Sequence, residues 1–171
     1  IAAGYTNSND GDVSGNHGSY DAWIVKLDSN NAIQWQKCLG TGNYDGAISI
    51  SQTEDGGYIF SGSSYYYSSS NQAWVAKTSS RGELEWEKYL SQASNAYSIQ
   101  QTTDGGYILA GNTQLPSTYG NYNFSIIKLS PNGAPEWTKS LGGSQNDYGR
   151  SIQQTSDGGY IAAGYTYSDD G

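Results

Sequence analysis

A chain of 171 residues suffices for one ordinary domain, and its apolar runs are only a few residues long, so none spans a membrane as a helix. With 23 Gly, 16 Tyr and 5 Trp against 3 Pro and no Met, it suits an all-β protein with many turns. A net charge of -8 repels nucleic acid and anionic lipid and leaves cation binding open.

The first predicted element is a strand, Ile1-Ala2-Ala3-Gly4-Tyr5-Thr6, whose words return at Ile161-Ala162-Ala163-Gly164-Tyr165-Thr166. A polar loop follows. In it Asp10-Gly11-Asp12-Val13-Ser14-Gly15 matches the opening of a calcium loop, with oxygen ligands at positions one, three and five and Gly at six. Asp21 falls at position twelve, so Asp10, Asp12, Ser14 and Asp21 are the candidate Ca²⁺ ligands. Against that reading, position twelve is Asp rather than Glu, no helices flank the loop, and the corresponding loops lack the acids. His17 lies in the same loop and reads as solvated. Asp21 also opens a strand that reaches Lys26, and Asp28-Ser29-Asn30-Asn31 turns the chain into a strand with Trp35 and Lys37. Cys38, the sole cysteine, reads as a small residue tolerated on that strand; it allows no internal disulfide and leaves the redox compartment open.

Next comes a full set of four strands. Ala47 to Thr53 alternates as a half-buried strand does, and Glu54-Asp55-Gly56-Gly57 is a tight turn whose glycines take positive φ. Tyr58 to Gly62, Ala73 to Lys77 and Leu84 to Leu90 are the second, third and fourth strands, the last two joined by Ser79-Ser80-Arg81-Gly82. In order, these four are strands A, B, C and D. The set returns with Asp104-Gly105-Gly106-Tyr107-Ile108 and Ser130-Pro131-Asn132-Gly133, and a further copy opens with Asp157-Gly158-Gly159-Tyr160-Ile161. No segment keeps a 3.6-residue apolar period, so helix is expected to be near zero. The chain divides into copies at 1–58, 59–107 and 108–160, with a fourth begun at 161–171. A period near 50 residues signals an array of one supersecondary unit that cannot bury its apolar face alone.

Some positions are locked. Trp35, Trp86 and Trp137 stand 51 apart, as do Lys26, Lys77 and Lys128, and Lys37, Lys88 and Lys139. The tryptophans read as pins between neighbouring sheets. The lysines read as strand-edge charges that discourage stray pairing. Glu85 and Glu87 alternate on strand D in one copy alone.

Four antiparallel strands with a Gly-Gly turn and a locked Trp read as a β-propeller blade. The text from Lys128-Leu129 through Trp137-Thr138-Lys139-Ser140-Leu141-Gly142-Gly143, and on through Ser151-Ile152-Gln153-Gln154-Thr155-Ser156-Asp157-Gly158-Gly159-Tyr160-Ile161, resembles the tandem repeats of secreted and cell-surface β-propeller proteins of bacteria and archaea. It is similar, more loosely, to quinoprotein-type propeller repeats. The resemblance covers the whole chain and implies a propeller fold and an extracellular or cell-surface location. It implies no function, because that family is mostly uncharacterised. The second copy departs from it at Ser91-Gln92, where the others carry Gly. Propellers have typically 4–8 blades. Three copies and one strand therefore imply an excerpt of a longer propeller, or several chains joined through unpaired end strands.

Length varies in two places. The B–C connection runs 22, 15 and 17 residues from Gly to Lys, and the D–A link 20, 18 and 20 from Trp to Asp. Antiparallel geometry puts both kinds of loop at one end of the sheets and the tight turns at the other. The variable end collects Tyr20, Tyr44, Tyr65, Tyr66, Tyr67, Tyr119, Tyr122 and Tyr148 among Ser, Asn and Gly. Such tyrosines make a binding surface of low conformational-entropy cost, suited to stacking on sugar rings or docking a protein. No nucleophile set, Cys/His cluster or phosphate loop can be assembled, so no enzyme is expected. The readings are a non-enzymatic extracellular scaffold or adhesion module, a carbohydrate-binding lectin, or a structural subunit of a surface sheath or filament.

Overall fold

The computed structural model describes residues 1–66, 70–114 and 121–169, and all of their regular structure is β-strand. The strands form separate antiparallel sheets in chain order. β1 (Ala2–Thr6), β2 (Asp21–Leu27) and β3 (Ile33–Leu39) make the first sheet. β4 (Asp45–Gln52), β5 (Tyr58–Tyr66), β6 (Ser70–Thr78) and β7 (Leu84–Leu90) make the second. β8 (Asn95–Gln101), β9 (Tyr107–Gln114), β10 (Tyr122–Leu129) and β11 (Pro135–Leu141) make the third, and β12 (Asp147–Gln154) pairs with β13 (Tyr160–Thr166) in the fourth. Each four-stranded sheet is a plain meander, consistent with a propeller blade. The ladders stop at the D–A links, around 40–44, 91–94 and 142–146, so the sequence copies are offset from the sheets by one strand.

The tight turns follow from local chemistry. Each C–D turn closes on a left-handed residue, Asn31 at φ 66°, Gly82 at 77° and Gly133 at 79°. In the A–B turn the first glycine is left-handed, Gly56 at 81° and Gly105 at 80°. The second glycine serves a different purpose. A Cβ on Gly57 would lie 2.5 Å from Lys77 Nζ, and one on Gly106 equally close to Lys128 Nζ. The Asp-Gly-Gly turn therefore makes room for a lysine head from the strand beside it. Asp55 completes the joint: Oδ1 accepts from the Gly57 N–H at 2.9 Å, and Oδ2 pairs with Lys77 at 2.9 Å. Glu85 closes on the same ammonium at 3.0 Å.

This corrects the edge reading for three of the lysines, since Lys26 lies on β2, the central strand of the first sheet. Lys77 and Lys128 sit on interior strands, buried to 3% and 2% exposure, and act as ionic hubs inside their sheets. Lys37, Lys88 and Lys139 are on the outer strand D, as expected. The hubs hold the Asp55 and Asp104 carboxyls down to about 2, Asp55 chiefly through Lys77 and Asp104 through the Thr102 hydroxyl and then Lys128. A carboxyl depressed on folding contributes stability above its unfolded pKa of about 3.9 and loses it as pH falls through the folded value. Acid titration followed by circular dichroism is expected to show stability falling between about pH 4 and 2. Lys77→Met is expected to make that fall shallower, although the carboxylates are more than half exposed and solvent screens part of the effect.

Sheets stack face to face. Ala22 and Ile24 of the first sheet meet Ala47, Phe60, Trp74 and Ala76 of the second. Ile59, Val75 and Leu90 meet Ile99, Leu109 and Ile127 across the next interface, and Ile108, Ala110 and Ile126 meet Ile152 across the last. β5, β6, β9 and β10 are covered on both faces, so Tyr58-Ile59-Phe60 is buried throughout rather than alternating. The locked tryptophans do pin neighbours. Trp35 meets Tyr58 at 5.8 Å, and Trp86 meets Tyr107 and Trp137 meets Tyr160 at 5.7 Å, each edge-on. Polar ties add to this along the A strands: the Ile99 N–H donates to Ser49 Oγ, the Ile152 N–H to Ser98 Oγ, and the backbone N–H groups of Glu54 and Thr103 donate to Gln101 and Gln154. The Ser-Ile-Gln-Gln text is thus a polar seam between sheets.

Candidate binding face

The described ends of the variable loops lie together at one end of the sheets. The Asp45 N–H donates to Tyr20 O at 2.7 Å, the Tyr65 N–H to Tyr44 O at 2.8 Å, the Ser94 N–H to Asn112 O at 2.8 Å and the Tyr167 N–H to Asn146 O at 2.9 Å, so each D–A link is zipped to a neighbouring strand end. Two groups of rings result. Tyr5, Tyr20 and Tyr44 touch pairwise at 5.6–5.7 Å, and Tyr65 joins Tyr44 at 5.5 Å. Between the third and fourth sheets, Tyr148 meets Tyr122 at 5.8 Å and Tyr165 at 5.0 Å, and Tyr167 extends the row. Five of the anticipated tyrosines, 20, 44, 65, 122 and 148, are therefore brought into clusters. Tyr67 and Tyr119 lie outside the described residues, as does the side chain of Tyr66.

Burial, and then the neighbouring tyrosines, push the Tyr44 and Tyr148 hydroxyls above their usual range. Both rings stay neutral at physiological pH and offer a hydroxyl that donates and accepts. Beside the first cluster runs an open groove of about 600 Å³, lined by Tyr44, Ile48, Ser63, Tyr65, Asn71 and Asn95. Beside the second stands Arg150. Its guanidinium carbon lies 4.2 Å above the Tyr97 ring and 5.2 and 5.6 Å from Tyr165 and Tyr148, and Nη2 donates to Tyr165 Oη at 2.7 Å.

Three of these residues share a backbone feature. Ile48, Tyr97 and Arg150 occupy the register break of strand A, between Ala47 and Ser49, Ala96 and Ser98, and Gly149 and Ser151. A bulge re-aims the side chain it carries, and here it turns Arg150 onto the neighbouring sheet's Tyr97. Sequence reasoning missed Arg150, Tyr97, Tyr5 and Tyr165. The available signal for Arg150 was that it falls outside the lysine repeat.

The calcium-loop residues are placed apart. Asp10 and Asp12 are exposed, and Ser14 Oγ accepts from Gln36 at 2.6 Å. Asp21 is fully buried, and its Oδ2 accepts from the His17 N–H at 3.0 Å and pairs with His17 Nδ1 at 2.5 Å. His17 is thus not merely solvated; it ties the loop to β2. Among the described residues no three His, Cys, Asp or Glu side chains gather in a metal-holding group. Cys38 is buried, and burial first and Asp21 second push its thiol up, away from reactivity. Glu87 accepts the Trp74 indole N–H at 2.9 Å, and so both glutamates of strand D have structural partners.

No family model matches the chain, and no curated protein does. Among solved structures the chain is similar to the crystal structure, at 1.35 Å resolution, of a protein of unknown function from Bacteroides caccae, with a TM-score of 0.54 and 13% identity over 94% of this chain. The chain spans 49% of that protein's length. The likeness concerns the fold alone.

Proposed function

We propose that this chain is a non-enzymatic scaffold of propeller blades, part of a larger propeller at or outside the cell surface, that presents tyrosine clusters for adhesion to a partner. The observation that carries this reading is the contact group of Tyr5, Tyr20, Tyr44 and Tyr65, built from both kinds of variable loop and held on a rigid sheet end. Self-packed rings present wide, stiff π faces with hydroxyls at their rims. Within this reading the groove favours a carbohydrate partner, because Ser63, Asn71 and Asn95 set polar groups beside Tyr44 and Tyr65. Sugar rings offer apolar C–H faces for stacking and hydroxyls for those side chains.

The test is a glycan array followed by calorimetry on the ligands it finds. The double substitution Tyr20→Ala/Tyr44→Ala is expected to weaken binding about 5- to 150-fold, since two stacked contacts carry about 1–3 kcal/mol together. An unchanged melting temperature would show that the sheets are intact. Ligands found on the array that bind the double variant as well as the parent would refute the face assignment.

A further inference from the structure

The links between sheets meet buried carboxylates that each leave one oxygen without a hydrogen-bond partner among the described residues. Asp21 and Asp45 are both fully buried. One oxygen of each is well served: Asp21 Oδ2 by His17, and Asp45 Oδ2 by the Thr41 N–H at 2.6 Å and its hydroxyl at 2.9 Å. The other oxygen of each, Oδ1, is buried and accepts no hydrogen bond from the described residues. The ion pairs of the described residues bring neither Lys nor Arg to these acids. The two acids share one elbow. The Asp45 N–H donates to Tyr20 O, next to Asp21, and Gly40 stands one step beyond the Ala22–Leu39 pair, opposite Asp21. A Cβ on Gly40 would lie 2.9 Å from Asp45 Oδ2.

The arrangement recurs between the third and fourth sheets. A Cβ on Gly142 would lie 2.2 Å from Asp147 Oδ2, which accepts from the Gly143 N–H at 2.9 Å, and 2.9 Å from Asn123 Oδ1, so the two side chains sit against the same glycine. Asp147 Oδ1 and Asn123 Oδ1 are again buried and accept nothing from the described residues. The elbow between the second and third sheets is an internal control. There Gln72 and Ser94 replace the two acids, Ser91 replaces the glycine, and the link is the short one, 18 residues against 20. The acids, the glycine and the length change together.

A water molecule satisfies a lone pair but leaves a buried charge uncompensated, and such a charge is costly unless it is paired or bound to a cation. We propose that each acid-bearing elbow holds one hard cation of the calcium class, between Asp21 and Asp45 in one and between Asn123 and Asp147 in the other, on the buried Oδ1 atoms. Calcium accepts carboxylate and amide oxygens and completes its shell with water. The first elbow, with two carboxylates, is the tighter. The site is separate from the Asp10–Asp12 loop and does not rest on the adhesion reading.

Thermal melts of the whole chain in EDTA and in about 10 mM CaCl₂ test this, together with terbium luminescence excited through the adjacent Tyr20 and Tyr44. For affinities of about 10⁻⁴–10⁻³ M, calcium is expected to raise the midpoint by at least about 3 °C and to quench the terbium signal. Asp45→Asn should remove much of the response without lowering the EDTA midpoint, because it also removes a buried charge; Asp10→Asn/Asp12→Asn should leave the response whole. Identical wild-type midpoints in EDTA and calcium with no sensitised terbium emission would overturn the proposal. So would an equal response to magnesium, or a response lost with Asp10 and Asp12.

Discussion

Trp74→Ala is expected to destabilise the chain by about 3–5 kcal/mol and lower its melting temperature by about 6–20 °C. Trp74 is among the largest side chains with no exposed surface. It stands edge-on to Phe60 at 5.2 Å, stacks near Tyr89 at 6.3 Å, and donates its indole N–H to Glu87 at 2.9 Å. Truncation would open a cavity between the first two sheets, and the strands around it are too tightly bonded to collapse into it. Trp137→Ala is the comparison. It is one of the locked tryptophans, but 40% exposed, and it is expected to cost less than half as much. Urea unfolding of the two variants checks the order, which reverses if the locked positions carry the array.

That comparison shows where the sequence was legible and where it was not. Period and punctuation reveal the meander, the turns and the intersheet pinning, because each is a local rule repeated at fixed spacing. Lys77 and Lys128 look like surface charges until the Asp-Gly-Gly turn is seen to fold over them: burial there depends on a contact between strands, which spacing does not report. Trp74 was hidden by its companion. The same position holds Trp23, only partly buried, and Ser125, so no lock shows in the text.

Compensation between strands is equally invisible to a reading along the chain. Phe124 occupies the place of Ala22 and Ala73, and Gly149 yields to it: a Cβ there would lie 2.0 Å from the Phe124 ring. The tyrosine face was legible as a composition of loops. Its membership was not, because Tyr5 and Tyr165 belong to a repeated strand and Arg150 reaches its neighbours through a bulge that no residue type announces.

The glycine in strand B supplies an internal series on that bulge. Gly62, Gly111 and Gly164 each face the register break of strand A, and a Cβ would lie 1.8 Å from Gly46 O, 1.9 Å from Asn95 O and 1.9 Å from Tyr148 O respectively. Those are backbone atoms, so an alanine must force two hydrogen-bonded strands apart. Gly4 holds the same place in β1, with nothing within 4 Å of its Cβ position. Gly62→Ala and Gly111→Ala are expected to cost about 3 kcal/mol each, at the upper end for overpacking, because both sheets are clamped on two faces. Gly164→Ala should cost less, since its two-stranded sheet can yield. Gly4→Ala should be neutral or stabilise by up to about 1 kcal/mol, through the unfolded chain's lost freedom. Equal costs at all four positions would mean that strand propensity, rather than the bulge, demands glycine. A harmless Gly62→Ala would mean that the bulge aiming Ile48, Tyr97 and Arg150 at the binding face is not fixed by this contact.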